Sequence, residues 1–216
     1  MRILKGKSVV EMTDLNEVLE GFESVIVDIG TGNGRFVYKH AQSNKNNFYI
    51  GVDPAAENMM EYASKIIKKP KKGGLNNALY VICGAEELPE EIYSKADKIY
   101  INLPWGSLLE GVVKGNDVIL ENIVKVAKSS QASLEIWFTY NNLHEAGEMS
   151  RRELPALSVE YIKDTLVPIY NASGIEINDI EIVTNEELKE FDTQWSKRLG
   201  FGRAREVYRI KAVIRK

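Results

Sequence analysis

Val25-Ile26-Val27-Asp28-Ile29-Gly30-Thr31-Gly32-Asn33-Gly34 decides how the rest of the chain is read. Its β-branched run predicts a buried strand over about 24–29, then a tight loop, then a helix over about 34–42. Glycines at every second position let backbone come within contact distance of a ligand, where a Cβ would collide. The loop also feeds the positive, N-terminal end of that helix.

The spacing G-x-G-x-G differs from the dinucleotide fingerprint G-x-G-x-x-G, which seats a pyrophosphate on the helix N-terminus. Asp28, just ahead of Gly30, would repel a pyrophosphate and suits a cation or an amine. A second hydrophobic run, Phe48-Tyr49-Ile50-Gly51-Val52, ends in Asp53. An acid roughly 20 residues past such a loop is placed to accept hydrogen bonds from ribose hydroxyls. An adenosine with a positively charged tail satisfies both acids, so the expected cofactor is S-adenosylmethionine. The competing reading is a glycine turn with Asp53 capping the helix that Pro54 opens. Capping accounts for Asp53 but not for Asp28 or the glycines.

Length and composition set the bounds. The 216 residues suit one domain, 1–216, and 44% hydrophobic content is enough for a packed core. The net charge of −3 rules out a polycation, so any nucleic-acid contact must come from local basic patches. The single cysteine, Cys83, excludes an internal disulfide and a cysteine-built metal site. Its neighbours Val81 and Ile82 point to packing or pocket lining. The two histidines, His40 and His144, are far apart and read as surface residues, so no metal is expected. No signal peptide or long apolar span is visible, which makes the cytoplasm the expected compartment, with no membrane contact.

Taken in order, residues 1–12 predict a hairpin turning at Lys5-Gly6, and Thr13-Asp14 a helix to about Gly21. Further strands are expected at about 48–53, 78–82, 98–102, 132–139, 175–183 and 205–214. Helices are expected after Pro54, over 115–129, and from Leu157-Ser158 to about Ala172. Tyr140 to Glu153 reads as a helical linker, and Asn185 to Leu199 as a helical insertion. Strands alternating with helices give an α/β, Rossmann-like fold with a seven-stranded, mostly parallel sheet whose last two strands are antiparallel. Ligands bind such sheets at the carboxyl ends of the strands. The Gly30 loop, Asp53, Ala85-Glu86 and Leu103-Pro104-Trp105 therefore converge on one crevice, with Glu86 placed to read an adenine amino group.

These segments resemble one family, the aminoglycoside-resistance methyltransferases that modify N1 of adenine 1408 in the decoding site of 16S ribosomal RNA. The resemblance spans nearly the whole chain. It is carried by Val27-Asp28-Ile29-Gly30-Thr31-Gly32-Asn33-Gly34-Arg35, Tyr49-Ile50-Gly51-Val52-Asp53-Pro54 and Lys68-Lys69-Pro70-Lys71-Lys72-Gly73-Gly74-Leu75. More specific are Pro104-Trp105-Gly106-Ser107-Leu108-Leu109-Glu110 and Trp195-Ser196-Lys197-Arg198-Leu199-Gly200-Phe201-Gly202-Arg203. The resemblance implies a class I S-adenosylmethionine-dependent methyltransferase with substrate-binding insertions at 141–157 and 184–204. It implies that a flipped adenine is stacked between Trp105 and Trp195. The implied cofactor contacts are Asp28, Gly30, Gly32, Gly34, Asp53, Pro54, Ala85, Glu86, Asn102, Leu103, Pro104, Ser107 and Thr193. RNA contacts are implied for Lys68, Lys69, Lys71, Lys72, Arg151, Arg152, Lys197, Arg198, Arg203 and Arg205, with Glu145 as a support in the linker. The implied partner is the 30S subunit at helix 44 of its 16S RNA, bound by a monomer, and the implied outcome is aminoglycoside resistance.

The chain departs from the family at Asn102, where an apolar residue is more usual. Asn102-Leu103-Pro104-Trp105 is also similar to the Asn-Pro-Pro-aromatic loop of adenine-amino methyltransferases, but Leu103 replaces the first proline. Rival readings are a transfer-RNA guanine-N7 methyltransferase and a non-catalytic RNA-binding protein on the same fold. Trp137, between Ile136 and Phe138, reads as core.

Overall fold

The computed structural model describes residues 1–183, Leu188 and residues 206–216, without the side chains of Asn142 and His144. Thr193, Trp195, Lys197, Arg198, Arg203 and Arg205 lie outside the described residues, as do the expected helical insertion apart from Leu188 and the side chain of His144.

The elements follow in order as β1 (Arg2–Lys5), β2 (Ser8–Glu11), α1 (Asn16–Leu19), β3 (Ser24–Ile29), α2 (Arg35–Ser43), β4 (Asn47–Val52), α3 (Ala56–Ile66), β5 (Ala78–Val81) and β6 (Lys98–Asn102). They continue as α4 (Gly106–Lys114), α5 (Asp117–Val126), β7 (Ser133–Phe138), α6 (Asn142–Arg151), α7 (Val159–Tyr161), α8 (Val167–Ala172), β8 (Ile175–Val183) and β9 (Val207–Ile214). The described strands form one sheet in the order β2-β1-β5-β4-β3-β6-β7-β9-β8.

The sheet has nine strands rather than the expected seven. The N-terminal hairpin extends it, because β1 pairs antiparallel with β5 through Ile3 and Val81. Ile82 N–H also donates to the Arg2 carbonyl at 3.0 Å. The short β5 leaves an edge, and covering an edge satisfies its backbone groups and blocks pairing with another chain. The expected parallel block is β5-β4-β3-β6-β7. The joins β7-β9 and β9-β8 are antiparallel, like those of the hairpin. Parallel and antiparallel pairings are thus equal in number, four of each among the described strands.

The core lies on both faces of the sheet, as a parallel block requires. Val25, Val27 and Ile29 of β3 pack with Leu109, Ile119, Ile123 and Tyr170 on one face. Ile26 packs with Phe36, Val37, Met59 and Tyr80 on the other. Trp137 is buried, as its apolar neighbours suggest, and its indole N–H donates to Glu135 at 2.7 Å.

Three helical boundaries differ from expectation. The helix expected over 115–129 is the shorter α5, and an unexpected helix, α4, precedes it. Gly115, at φ +68°, ends α4, and Asn116 caps α5 by accepting from Ile119 N–H at 3.2 Å. Its predecessor α4 begins directly after Trp105, a turn that the Pro104-Trp105-Gly106 sequence disguised as loop. The helix expected to reach Ala172 starts on its Ser158 cap but widens to a π-turn over Ile162–Leu166. Pro168 follows at once. It has no N–H to give the carbonyl four residues back, and its ring crowds that carbonyl. The linker helix α6 is kinked at Glu145, whose carboxylate accepts from Asn141 N–H at 3.0 Å.

Candidate active site

A cavity of about 460 Å³ opens at the carboxyl ends of β3, β4, β5 and β6. Four separate loops supply its wall. Asp28, Gly30, Gly32, Asp53, Pro54, Ala85, Glu86, Asn102, Leu103, Pro104, Trp105 and Ser107 all line it. Phe36, Asn58, Cys83 and Leu108 line it as well.

Gly34 is not among the lining residues, so the geometry gives this expected cofactor contact a packing role. A Cβ on Gly34 would fall 2.4 Å from Tyr80 Cε1, and its carbonyl accepts from the Tyr80 hydroxyl at 2.8 Å. Gly32 is the opposite case. Its φ is +58°, and an added Cβ would meet no protein atom within 4 Å. The protein keeps that space clear on the cavity side, where a ligand can approach the backbone.

The two acids are held differently. Asp53 accepts from Gly32 N–H and from Ala55 N–H, each at 2.9 Å. Asp53 therefore braces the turn ahead of α3 rather than capping it, since the N-cap is Ala55 with no side-chain cap, and each carboxylate oxygen keeps a second lone pair for a ligand. Burial raises its pKa above the usual carboxylate range, opposed by the two backbone hydrogen bonds. Asp28 is 1% exposed, and its Oδ1 accepts from Asn102 Nδ2 at 2.9 Å. Burial pushes Asp28 up to about 7, although the Asn102 hydrogen bond pulls the other way. A carboxylate buried at a cavity wall is a ready partner for a cationic ligand group.

The β6 loop carries Trp105. Leu103 ahead of it has φ +51°, a left-handed conformation that costs a branched residue about 1–3 kcal/mol. The surroundings hold Leu103 there: its N–H donates to the Trp137 carbonyl at 2.7 Å, and its side chain packs with Trp137, Val183, Leu188 and Val207. This twist turns Pro104 and Trp105 toward the cavity. Trp105 is 48% exposed while lining it, an unusual position for an indole unless its face serves a ligand.

The Ala85-Glu86 loop rests on a residue that sequence reading missed. Asn122 of α5 is buried, and its Nδ2 donates to the carbonyls of Ala85 (3.0 Å) and Glu86 (2.9 Å). The available signal was a polar residue on the apolar stripe of Ile119, Ile123 and Val126. Asn122→Leu is expected to leave two carbonyls without that donor, at about 1–3 kcal/mol. Calorimetry should then read cofactor affinity roughly 5-fold lower or worse. Unchanged affinity would show that the loop holds itself.

The expected basic contacts that are described occupy two places. Lys68, Lys69, Lys71 and Lys72 are all exposed on a corner closed by one 3₁₀ turn, Pro70–Lys72. Gly74 makes the corner tight, since a Cβ there would lie 1.6 Å from the Lys68 carbonyl oxygen. Tyr38 of α2 braces it, donating to the Gly73 carbonyl at 2.9 Å. None of the four lysines lines the cavity. Arg151 and Arg152 sit on α6. Arg151 is exposed and pairs with Glu148. Arg152 pairs with Glu148 and, at 2.9 Å, with Glu110 of α4. Lys114 joins this group by donating to the Arg152 carbonyl at 2.6 Å. Arg152 thus ties α6 to the helix that starts beside Trp105.

Comparison with known proteins identifies the family. The family model NpmA: 16S rRNA (adenine(1408)-N(1))-methyltransferase matches residues 2–214. A 16S rRNA (adenine(1408)-N(1))-methyltransferase of Escherichia coli is 43% identical over the full length of both chains. A mutant of the corresponding Catenulisporales acidiphilia enzyme, solved with cosubstrate SAM, is 31% identical with a TM-score of 0.90, covering 100% of this chain and 97% of that one. The aminoglycoside resistance methyltransferase NpmB1 is 32% identical with a TM-score of 0.84, covering 99% and 98%. Similarity to the transfer-RNA guanine-N7 methyltransferases of Mesomycoplasma hyopneumoniae covers only 38% of the chain. The Rossmann-like, class I sheet and its cofactor crevice are common ground for many methyltransferases, but a match from the hairpin to the last strand is not. The chain belongs to the NpmA family of 16S rRNA (adenine(1408)-N(1))-methyltransferases.

Proposed function

We infer that this protein transfers a methyl group from S-adenosylmethionine to N1 of adenine 1408 in 16S rRNA and so confers aminoglycoside resistance. The observation that carries the reading is Trp105, half-exposed on the wall of a cavity whose other loops present Asp28, Asp53 and Glu86. S-adenosylmethionine supplies a methyl on a positively charged sulfur. Adenine N1 has an in-plane lone pair and no proton at neutral pH, so no general base is required. That fits a cavity lined, among the described residues, by no histidine and by one cysteine, Cys83, whose thiol burial pushes up to about 12.

The protein's part is position. Asp28 seats the cationic tail, Asp53 the ribose and Glu86 the adenine end of the cofactor. Trp105 gives the target base one stacking face, and we assign the other to Trp195. Flipping a base out costs a few kcal/mol, and stacking returns about 1–3 kcal/mol per base. Two faces can therefore roughly offset the cost. Thr193 is assigned to the cofactor, and Arg151, Lys197, Arg198, Arg203 and Arg205 to the RNA backbone. We place the docking site at helix 44 of the 30S subunit, engaged by a monomer in the cytoplasm, where ribosomes work.

Primer extension on 30S subunits treated with the protein and S-adenosylmethionine tests the reading. The expected result is a stop at adenine 1408, and read-through there would overturn it. The lysine corner has its own test. Lys68→Glu is expected to weaken subunit binding about 3- to 10-fold at low salt and to flatten the dependence of log affinity on log salt by roughly one to two charges. An unchanged slope would remove Lys68 from the interface.

A further inference from the structure

The amide of Asn102 is used on one side only. Asn102 is 8% exposed at the end of β6, on the cavity wall. Its Nδ2 donates to Asp28 at 2.9 Å. Its Oδ1 is buried and has no hydrogen-bond partner among the described residues. Buried side-chain oxygens without a partner are rare in folded proteins and call for an explanation. The hydrogen bond holds the amide nitrogen at the Asp28 carboxylate and leaves the oxygen as the unused end. Asp28 and Asn102 both line the cavity, so neighbouring residues on one wall carry two acceptors, the Asp28 carboxylate and Asn102 Oδ1. Among the described residues, no Lys or Arg lines that cavity to serve them. Together they fit a group with at least two N–H donors and a positive charge.

We propose that Asn102 is a cofactor-binding residue specific for the ammonium of the methionine tail: Nδ2 holds Asp28 in place while Oδ1 accepts one ammonium hydrogen and Asp28 another. This rests on the reading of the cavity as the S-adenosylmethionine site. An apolar side chain at position 102 can neither aim the Asp28 carboxylate nor offer the second acceptor. The assignment keeps Asn102 at the tail of the cofactor, away from the edge of the target base.

The test compares two ligands. S-adenosylmethionine carries the ammonium, whereas 5′-methylthioadenosine has the same nucleoside and no amino-acid tail. Calorimetric affinities of both are measured for the wild type, Asn102→Leu and Asn102→Ser. Asn102→Ser is too short to bridge to Asp28 and serves if Asn102→Leu folds poorly. The expected result is S-adenosylmethionine binding weaker by about tenfold or more, as for loss of a hydrogen bond to a charged group, with 5′-methylthioadenosine binding within about twofold of wild type. Equal losses for both ligands would mark Asn102 as a general support of the cavity and overturn the proposal. Unchanged affinities with slower turnover on 30S subunits would move Asn102 to the target base and overturn it equally. Failure of the wild type to bind either ligand would instead remove the cavity reading on which the proposal stands.

Discussion

Trp105→Ala is expected to remove most methylation of 30S subunits while S-adenosylmethionine binds within about threefold of its wild-type affinity. The indole is half-exposed at the cavity wall, so truncation leaves no void in the core. What disappears is one stacking face for the flipped base, worth about 1–3 kcal/mol. At 1.36 kcal/mol per tenfold in rate, that is roughly a 5- to 150-fold fall in kcat/KM. The loss concentrates in turnover if the base must be flipped before the methyl can move, since ground-state docking depends on the distant basic residues. Trp105→Phe keeps a stacking face and should recover much of the activity. A variant that loses cofactor affinity in parallel with activity would recast Trp105 as a wall of the cofactor cavity.

Asp28→Asn carries the second large effect, with opposite signs on binding and on stability. Burial holds the Asp28 carboxyl at about 7, against an ordinary value of 3.8. Because the folded value lies above the unfolded one, this group favours the folded state most below the unfolded value. That contribution is lost as pH rises through about 7. At pH 8 the buried charge therefore costs stability on the order of 2–4 kcal/mol. Asp28→Asn should recover much of it, so the variant's thermal midpoint exceeds wild type at pH 8 and converges with it toward pH 4. Cofactor binding moves the other way. A cationic tail prefers the ionised carboxyl, so below pH 7 the wild type must release a proton to bind. Wild-type affinity should fall by up to about tenfold per pH unit on that side and level off above it. Asp28→Asn should bind S-adenosylmethionine about 10- to 100-fold more weakly at pH 8, with little pH dependence, since it lacks a hydrogen bond to a charged group. A flat wild-type profile between pH 5 and 8 would separate Asp28 from the cationic tail.

The sequence by itself determined the order of the strands and of every described helix but α4, the glycine loop and the convergence of four loops on one cavity. Those features are local or periodic: β-branched runs, glycines at alternate positions and an acid closing each of two strands. Each leaves its mark within a few residues. Tertiary structure alone decided the rest, because it depends on contacts between distant segments. The hairpin joins the sheet only because β5 presents an open edge, and Ile3 lies far from Val81 in the chain. Gly34 packs against Tyr80, Asn122 holds a loop from another element, and Arg152 pairs with Glu110 across two helices. Burial sets the charge state of Asp28, and the partner of Asn102 is fixed where two neighbouring strands end together. A motif names a residue type at a spacing, but dielectric, unmet hydrogen bonds and the angle of an indole exist only once the chain has closed around them.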